Sequence, residues 1–192
     1  VTEALQHGNA DGAAWRPGEA DVSIRPGWFH HEAENERVRS VENLFELYSA
    51  SVGRNANLLL NVPPTREGLF HETDARRLAE FGGRLREAFA VDHAARARVH
   101  RSTEGVEFEL REPAQVGTIV LREQIERGQA VARYRVEARV NGAWSVVSRG
   151  TTIGHKKIDR FPAVTAERVR VVIEESVGPV QLGDVGLFEA SS

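Results

Sequence analysis

Two carboxylic acids, Glu19 and Asp21, stand close together near the start of this 192-residue chain, with Trp15, Arg25 and Trp28 around them. Carboxyl groups can exchange protons with a reacting group or attack it, and indole rings lie against apolar faces. Acid–base work by a pair of carboxyls across one bond needs them to face each other. On a strand, residues 19 and 21 point the same way, ~6.6 Å apart along it. They cannot flank a bond from opposite sides. Read alone, Glu19 is a surface carboxylate in a Gly/Pro-rich stretch, and Asp21 with Arg25 reads as a supporting ion pair or as a pair of hydroxyl-binding groups.

Other polar clusters carry less. His30 and His31, followed by Glu32 and Glu34, match no defined metal spacing and read as a solvated loop. Gly53-Arg54-Asn55-Ala56-Asn57 lacks the glycine pattern and the lysine of a phosphate loop. Arg133, Arg135 and Arg139 are interrupted by Glu137 and read as a solvated strand face, not a nucleic-acid platform. No metal and no cofactor is expected.

The elements that must carry these residues change character along the chain. Residues 1–18 lack periodicity. ADVSI, Ala20–Ile24, is β-compatible and is stopped by Pro26-Gly27. Ser40 predicts an N-cap, with Val41, Leu44, Phe45, Tyr48 and Val52 on one helical face and Gly53 after the end. The run NLLLNV, Asn57–Val62, closed by Pro63-Pro64, predicts a parallel strand buried on both faces, with Asn61 holding a loop at its end. Thr73 predicts the cap of a second helix whose stripe is Leu78, Phe81, Leu85 and Phe89. This is a βαβα unit, hence a parallel sheet.

After Ala90 the period becomes two. Residues 92–102 read as a linker or a first edge strand. Val106, Phe108 and Leu110 alternate with glutamates, and Tyr134, Val136, Ala138 and Val140 alternate with charged residues. Asn141-Gly142 predicts a type I′ hairpin, with Trp144 and Val146 continuing on the return strand, where Trp144 reads as core by that alternation or as a weak sugar contact. Val169, Val171 and Ile173, then Val185, Leu187 and Phe188, complete an expected antiparallel β-sandwich. The loop Gly154-His155-Lys156-Lys157 reads as solvated cations or a weak sugar contact. The expected boundary gives residues 1–92 as an α/β domain and 93–192 as the sandwich.

Composition excludes several classes. Net charge is -3, with 41% hydrophobic and 28% charged residues, so there is no electrostatic footprint for nucleic acid or an anionic membrane. No apolar run approaches the ~20 residues that span a bilayer. Cysteine is absent, so no disulfide framework is available. Methionine is also absent and the chain opens Val1-Thr2-Glu3, which reads as a processed chain or a piece of a longer one. Two βα units in about 90 residues also fall short of the ~250 of a (β/α)₈ barrel.

The stretches WRPGEADVSIRPGWF, from Trp15 to Phe29, and SVGRNANLLLNVPP, from Ser51 to Pro64, resemble the glycoside hydrolase family 29 α-L-fucosidases. LAEFGGRLREAF is similar to that family's last barrel helix. RGTTIGHKKIDRF and VGLFEA are similar to the galactose-binding-like, discoidin-type sandwiches that follow many such barrels. The resemblance implies the C-terminal βαβα portion of a (β/α) barrel followed by an antiparallel β-sandwich. It implies a retaining hydrolase acting on a fucosylated oligosaccharide or glycoconjugate, with Glu19 as acid/base. Trp28, Trp15, Asp21 and Arg25 become candidate substrate-binding residues. The family's nucleophile is an Asp on an earlier strand, so the chain is expected to need a missing N-terminal barrel segment and to be inactive alone. The EADVSIRPGWF form further implies a preference for branched α-1,3/1,4-linked fucose.

Overall fold

In the computed structural model, which describes residues 7–9, 11–12 and 14–190, a small parallel unit precedes a larger antiparallel one. The first contains strand β1 (Gly18–Ser23), a 3₁₀ turn over Glu32–Arg37, helix α1 (Val41–Ser51), strand β2 (Ala56–Asn61) and helix α2 (Glu72–Ala88). β1 and β2 pair in parallel, Gly18 opposite Ala56 through Ser23 opposite Asn61. The expected βαβα order is therefore present, with each strand starting a residue or two earlier than the apolar pattern suggests.

Helix boundaries follow local chemistry. The Ser40 hydroxyl accepts from the Asn43 N–H at 3.1 Å, satisfying one of the orphan donors of α1. In α2 the expected cap, Thr73, is displaced by His71, whose Nδ1 accepts from the Thr73 N–H at 3.2 Å. An imidazole nitrogen can do what a hydroxyl oxygen does, and it wins here because His71 is the last residue with extended backbone. Ile24, Leu44, Phe45 and Phe81 are buried between strands and helices, with Leu60, Leu78 and Leu85 packed on them. Only one face of the two-stranded sheet is covered by described residues. Asn57 is exposed and Leu59 is 48% exposed, so β2 is not buried on both sides as its composition suggests.

The second unit contains β3 (Arg98–Ser102), β4 (Gly105–Leu121), β5 (Val131–Val140), β6 (Ala143–Gly150), β7 (Lys157–Ser176) and β8 (Gly186–Phe188). These form one continuous hydrogen-bonded sheet ordered β3-β4-β7-β5-β6, with β8 on the far half of β4, and no break between neighbouring strands from one end to the other. The reason is strand length. β4 and β7 run 17 and 20 residues, and their pairing slips between Glu109 and Ala114 and again between Val116 and Thr118. Such slips bend long strands, so both halves of β4 reach one core. Val106, Phe108 and Leu110 from its first half and Ile119 and Leu121 from its second meet Tyr134, Val136, Val169 and Val171.

Asn141 and Gly142 both have positive φ, 51° and 79°, as a two-residue type I′ turn requires. The return strand β6 is an edge strand, however, and a slip in its pairing between Val136 and Glu137 turns Val147, not Val146, toward the core. Val146 is 43% exposed, and the Trp144 ring lies under the Arg170 guanidinium at 4.2 Å. The expected arginine face of Arg133, Arg135 and Arg139 is crossed by ion pairs: Arg135 with Glu137 and Glu174, Arg133 with Glu175, and Arg139 with Glu167.

The two units are packed together. Val120, Ile158 and Phe188 bury against Tyr48 near the end of α1 and Phe89 just after α2, and Phe89 meets Phe188 edge-on at 5.1 Å. The α1–β2 turn docks on the segment before β7. Ile158 N–H donates to Gly53 O at 3.0 Å, Lys156 N–H to the Asn55 side chain at 2.9 Å, and the Asn55 amide to Ile153 O at 2.9 Å. Arg54 reaches Ile158 O and Asp159. The lysines expected to be solvated are thus enclosed: Lys157 is 2% exposed, and Lys156 Nζ bonds the Tyr48 hydroxyl at 2.9 Å.

Candidate functional site

Parallel strands followed by helices leave their C-terminal ends free of helix, and loops leaving those ends build the sites of such folds. Here those ends are Ser23 and Asn61, paired in register. The loop after Ser23 is held at three successive points. Ser23 Oγ donates to Gly27 O at 2.7 Å, Asn61 Nδ2 donates to Trp28 O at 3.1 Å, and Arg25 Nη1 donates to His31 O at 3.3 Å. Asn61 Nδ2 also lies 3.1 Å from Ser23 Oγ, joining the two strand ends.

Beneath the loop, Arg25 has no exposed side-chain surface. Its Nε meets both Asp74 oxygens, at 3.1 and 2.9 Å, and its Nη2 meets Oδ2 at 2.9 Å. Asp74 is equally enclosed in the first turn of α2, where a negative charge also suits the helix dipole. The expected Asp21–Arg25 pair does not form. Position 21 faces the open side of the sheet with an exposed side chain, while Arg25 turns under the loop to α2. Arg25 therefore cannot touch a ligand at the surface.

The loop pins its backbone and leaves its aromatic rings uncovered. Trp28 is 51% exposed and Phe29 78%. A rigid backbone bearing an open indole is a preformed surface for the apolar face of a ring-shaped ligand. His30 and His71 lie alongside, ring centres 5.6 Å apart.

The other candidates lie elsewhere. Glu19 occupies the second position of β1 and pairs with Asn57, four residues before Asn61. At ~3.3 Å per residue that is ~13 Å below the strand ends. Its side chain shares the open face with Asp21 and Leu59. Trp15, before the entry to β1, sits 6.1 Å from His155 of the antiparallel unit. Trp15 and Glu19 thus belong to the strand-entry end, where the two units meet, and Trp28 to the opposite end.

Asp74 and Ser23 are the residues that sequence reasoning missed. The available signal for Asp74 was an acid in the first turn of a helix, but nothing in the spacing linked it to an arginine 49 positions earlier.

Comparison with known proteins follows the same residues. The family described as Alpha-L-fucosidase matches residues 2–88. Alpha-L-fucosidase 1 of Arabidopsis thaliana is 31% identical over 217 residues, spanning 95% of this chain and 42% of that protein. The chain spans less than half the length of the curated relatives it matches, 43% and 42%. Among solved structures, a glycoside hydrolase 29 family member from an unknown rumen bacterium superimposes with a TM-score of 0.92 at 33% identity, over 99% of this chain and 36% of that one. A Ruminococcus gnavus GH29 fucosidase in complex with fucose gives 0.87 at 27% identity, over 96% and 43%.

Proposed function

Because this chain belongs to the glycoside hydrolase family 29 of α-L-fucosidases, we propose that it is part of an enzyme that removes terminal α-linked L-fucose from oligosaccharides or glycoconjugates with retention. The observation that carries this reading is the pinned loop after β1, which presents Trp28 at the free ends of two parallel strands. The indole would take the C6-methyl side of fucose, the sugar bound in the similar Ruminococcus gnavus structure. The EADVSIRPGWF stretch supports a preference for α-1,3/1,4 linkages.

Retention needs two carboxyl groups ~5–5.5 Å apart across the scissile bond, one attacking the anomeric carbon and one serving first as acid, then as base. The resemblance offers Glu19 for the second role. We keep Glu19 as the proposed acid/base, assign the nucleophile to the remainder of the full-length protein, and expect the chain alone to be inactive.

The test uses the full-length protein with a fucoside of poor leaving group. Trp28→Ala should raise KM at least about tenfold through lost stacking, whereas Glu19→Gln should cut kcat by at least about a hundredfold. A kcat for Glu19→Gln within about threefold of the parent would remove position 19 from the acid/base role, and an unchanged KM in Trp28→Ala would remove the indole from the site.

A second reading gives residues 104–190 a glycan-binding role. A cleft of about 980 Å³ supports it, between the β3–β4 turn and the 178–184 loop, lined by Arg101, Glu104, Gln124, Glu175, Gln181 and Asp184. Its lining contains no aromatic ring, the usual platform for a sugar face, so the Trp28 loop is the better-supported site. A glycan array probed with the full-length protein carrying Trp28→Ala separates the two, since only binding in the cleft survives that change.

A further inference from the structure

Trp28 stands on a strand-end loop whose backbone other side chains hold in place. From this geometry we infer that Asn61 is a positioning residue for the Trp28 platform, acting through two hydrogen bonds from one amide. The inference rests on the reading that Trp28 faces the sugar.

Asn61 ends β2, and its backbone carbonyl accepts from the Ile24 N–H at 2.9 Å, continuing the ladder one step beyond β1. This fixes the direction of its side chain. The Nδ2 group then donates to Trp28 O at 3.1 Å and to Ser23 Oγ at 3.1 Å. Ser23 is 93% buried by its 7% exposure, and its hydroxyl proton is already committed to Gly27 O at 2.7 Å. Ser23 Oγ can therefore only accept from Asn61, and the amide must point its nitrogen, not its oxygen, at the loop. Both acceptors, a carbonyl and a spent hydroxyl, demand a donor.

That demand distinguishes asparagine from its isosteric acid. A carboxylate at position 61 would keep the shape and place an acceptor against two acceptors. The loop would lose its hold on the Trp28 carbonyl while Arg25 and Asp74, enclosed below, still anchored its later part at His31. The expected result is a platform that forms but is misplaced. Small misplacements of a contact surface weaken binding without melting the fold.

The experiment compares Asn61→Asp, Asn61→Ala and Trp28→Ala in the full-length protein, reading KM, kcat, the inhibition constant of free fucose and the thermal midpoint. Loss of the two donor bonds should raise KM and the fucose inhibition constant about tenfold in Asn61→Asp and Asn61→Ala, with kcat within about threefold. Thermal midpoints within about 3 °C of the parent would show the fold intact. If Trp28→Ala weakens fucose binding while both Asn61 variants bind it normally, the positioning role is overturned and the Trp28 reading stands. If Trp28→Ala itself leaves fucose binding unchanged, the reading beneath the inference fails. If Asn61→Asp lowers the thermal midpoint sharply and leaves the fucose inhibition constant unchanged, Asn61 is structural only.

Discussion

Arg25 and Asp74 are both stripped of solvent, and each is the other's compensation. Removing one partner leaves a lone buried charge, so Arg25→Met or Asp74→Asn should cost about 3–5 kcal/mol, measured by urea unfolding, and a double change to apolar residues should recover much of that loss. Lys157 makes a different prediction. Burial, reinforced by the Arg54 cation, lowers its pKa to about 8 from the ordinary 10.5, against the opposing pull of Asp159. Below 8 both folded and unfolded chains hold the proton. Between about 8 and 10.5 the unfolded chain holds it and the folded chain does not, so this residue's contribution to stability rises with pH across that window. Unfolding free energies of the parent relative to Lys157→Met, followed across the window, should show that rise; a flat difference would count against the lowered pKa. Nothing of this is legible in the sequence. Arginine at 25 and lysine at 157 look like surface charges because their burial depends on segments packed against them from 49 positions away, at Asp74, and from about a hundred, at Arg54. Asn61 is the opposite case, since a polar residue closing an apolar run before Pro63-Pro64 already signals a loop anchor.

Elements were more readable than residues where periodicity and punctuation agreed. Ser40 capped the helix it was expected to cap, and Asn141-Gly142 made its hairpin, because both signals are local. Reading failed where tertiary context decides. Val146 alternates like a core residue, yet the slip in the β5–β6 pairing between Val136 and Glu137 gives Val147 the inward place and leaves Val146 outside. His71 displaced Thr73 because cap preference is a ranking among side chains, and backbone conformation chose the residue. The α1–β2 turn offers the sharpest test at this scale. A Cβ on Gly53 would lie 2.8 Å from Ile158 Cβ and 2.4 Å from Ser49 O. Gly53→Ala should therefore force the turn off the antiparallel unit and cost about 1–3 kcal/mol, visible as an earlier thermal transition. Phe89→Ala removes the ring that meets Phe188 edge-on and should cost about 3 kcal/mol or more by the same measurement.

At the scale of the whole molecule, the antiparallel unit grips the strand-entry end of the βαβα unit, through Tyr48, Phe89 and the Gly53–Asn55 turn, and Trp28 lies at the other end. Deleting residues 98–190 from the full-length protein should therefore lower its thermal midpoint and leave KM for a small fucoside within about twofold, since stability and site occupy opposite faces of such folds. A large KM change would mean that the antiparallel unit reaches the sugar. The parallel pair carries one further consequence. Among the described residues β1 and β2 have no neighbour but each other, so each shows a row of unspent amide and carbonyl groups along its outer flank. Made without anything to occupy those flanks, the polypeptide would find the missing neighbours in other copies of itself, and its solubility would fall as its concentration rose.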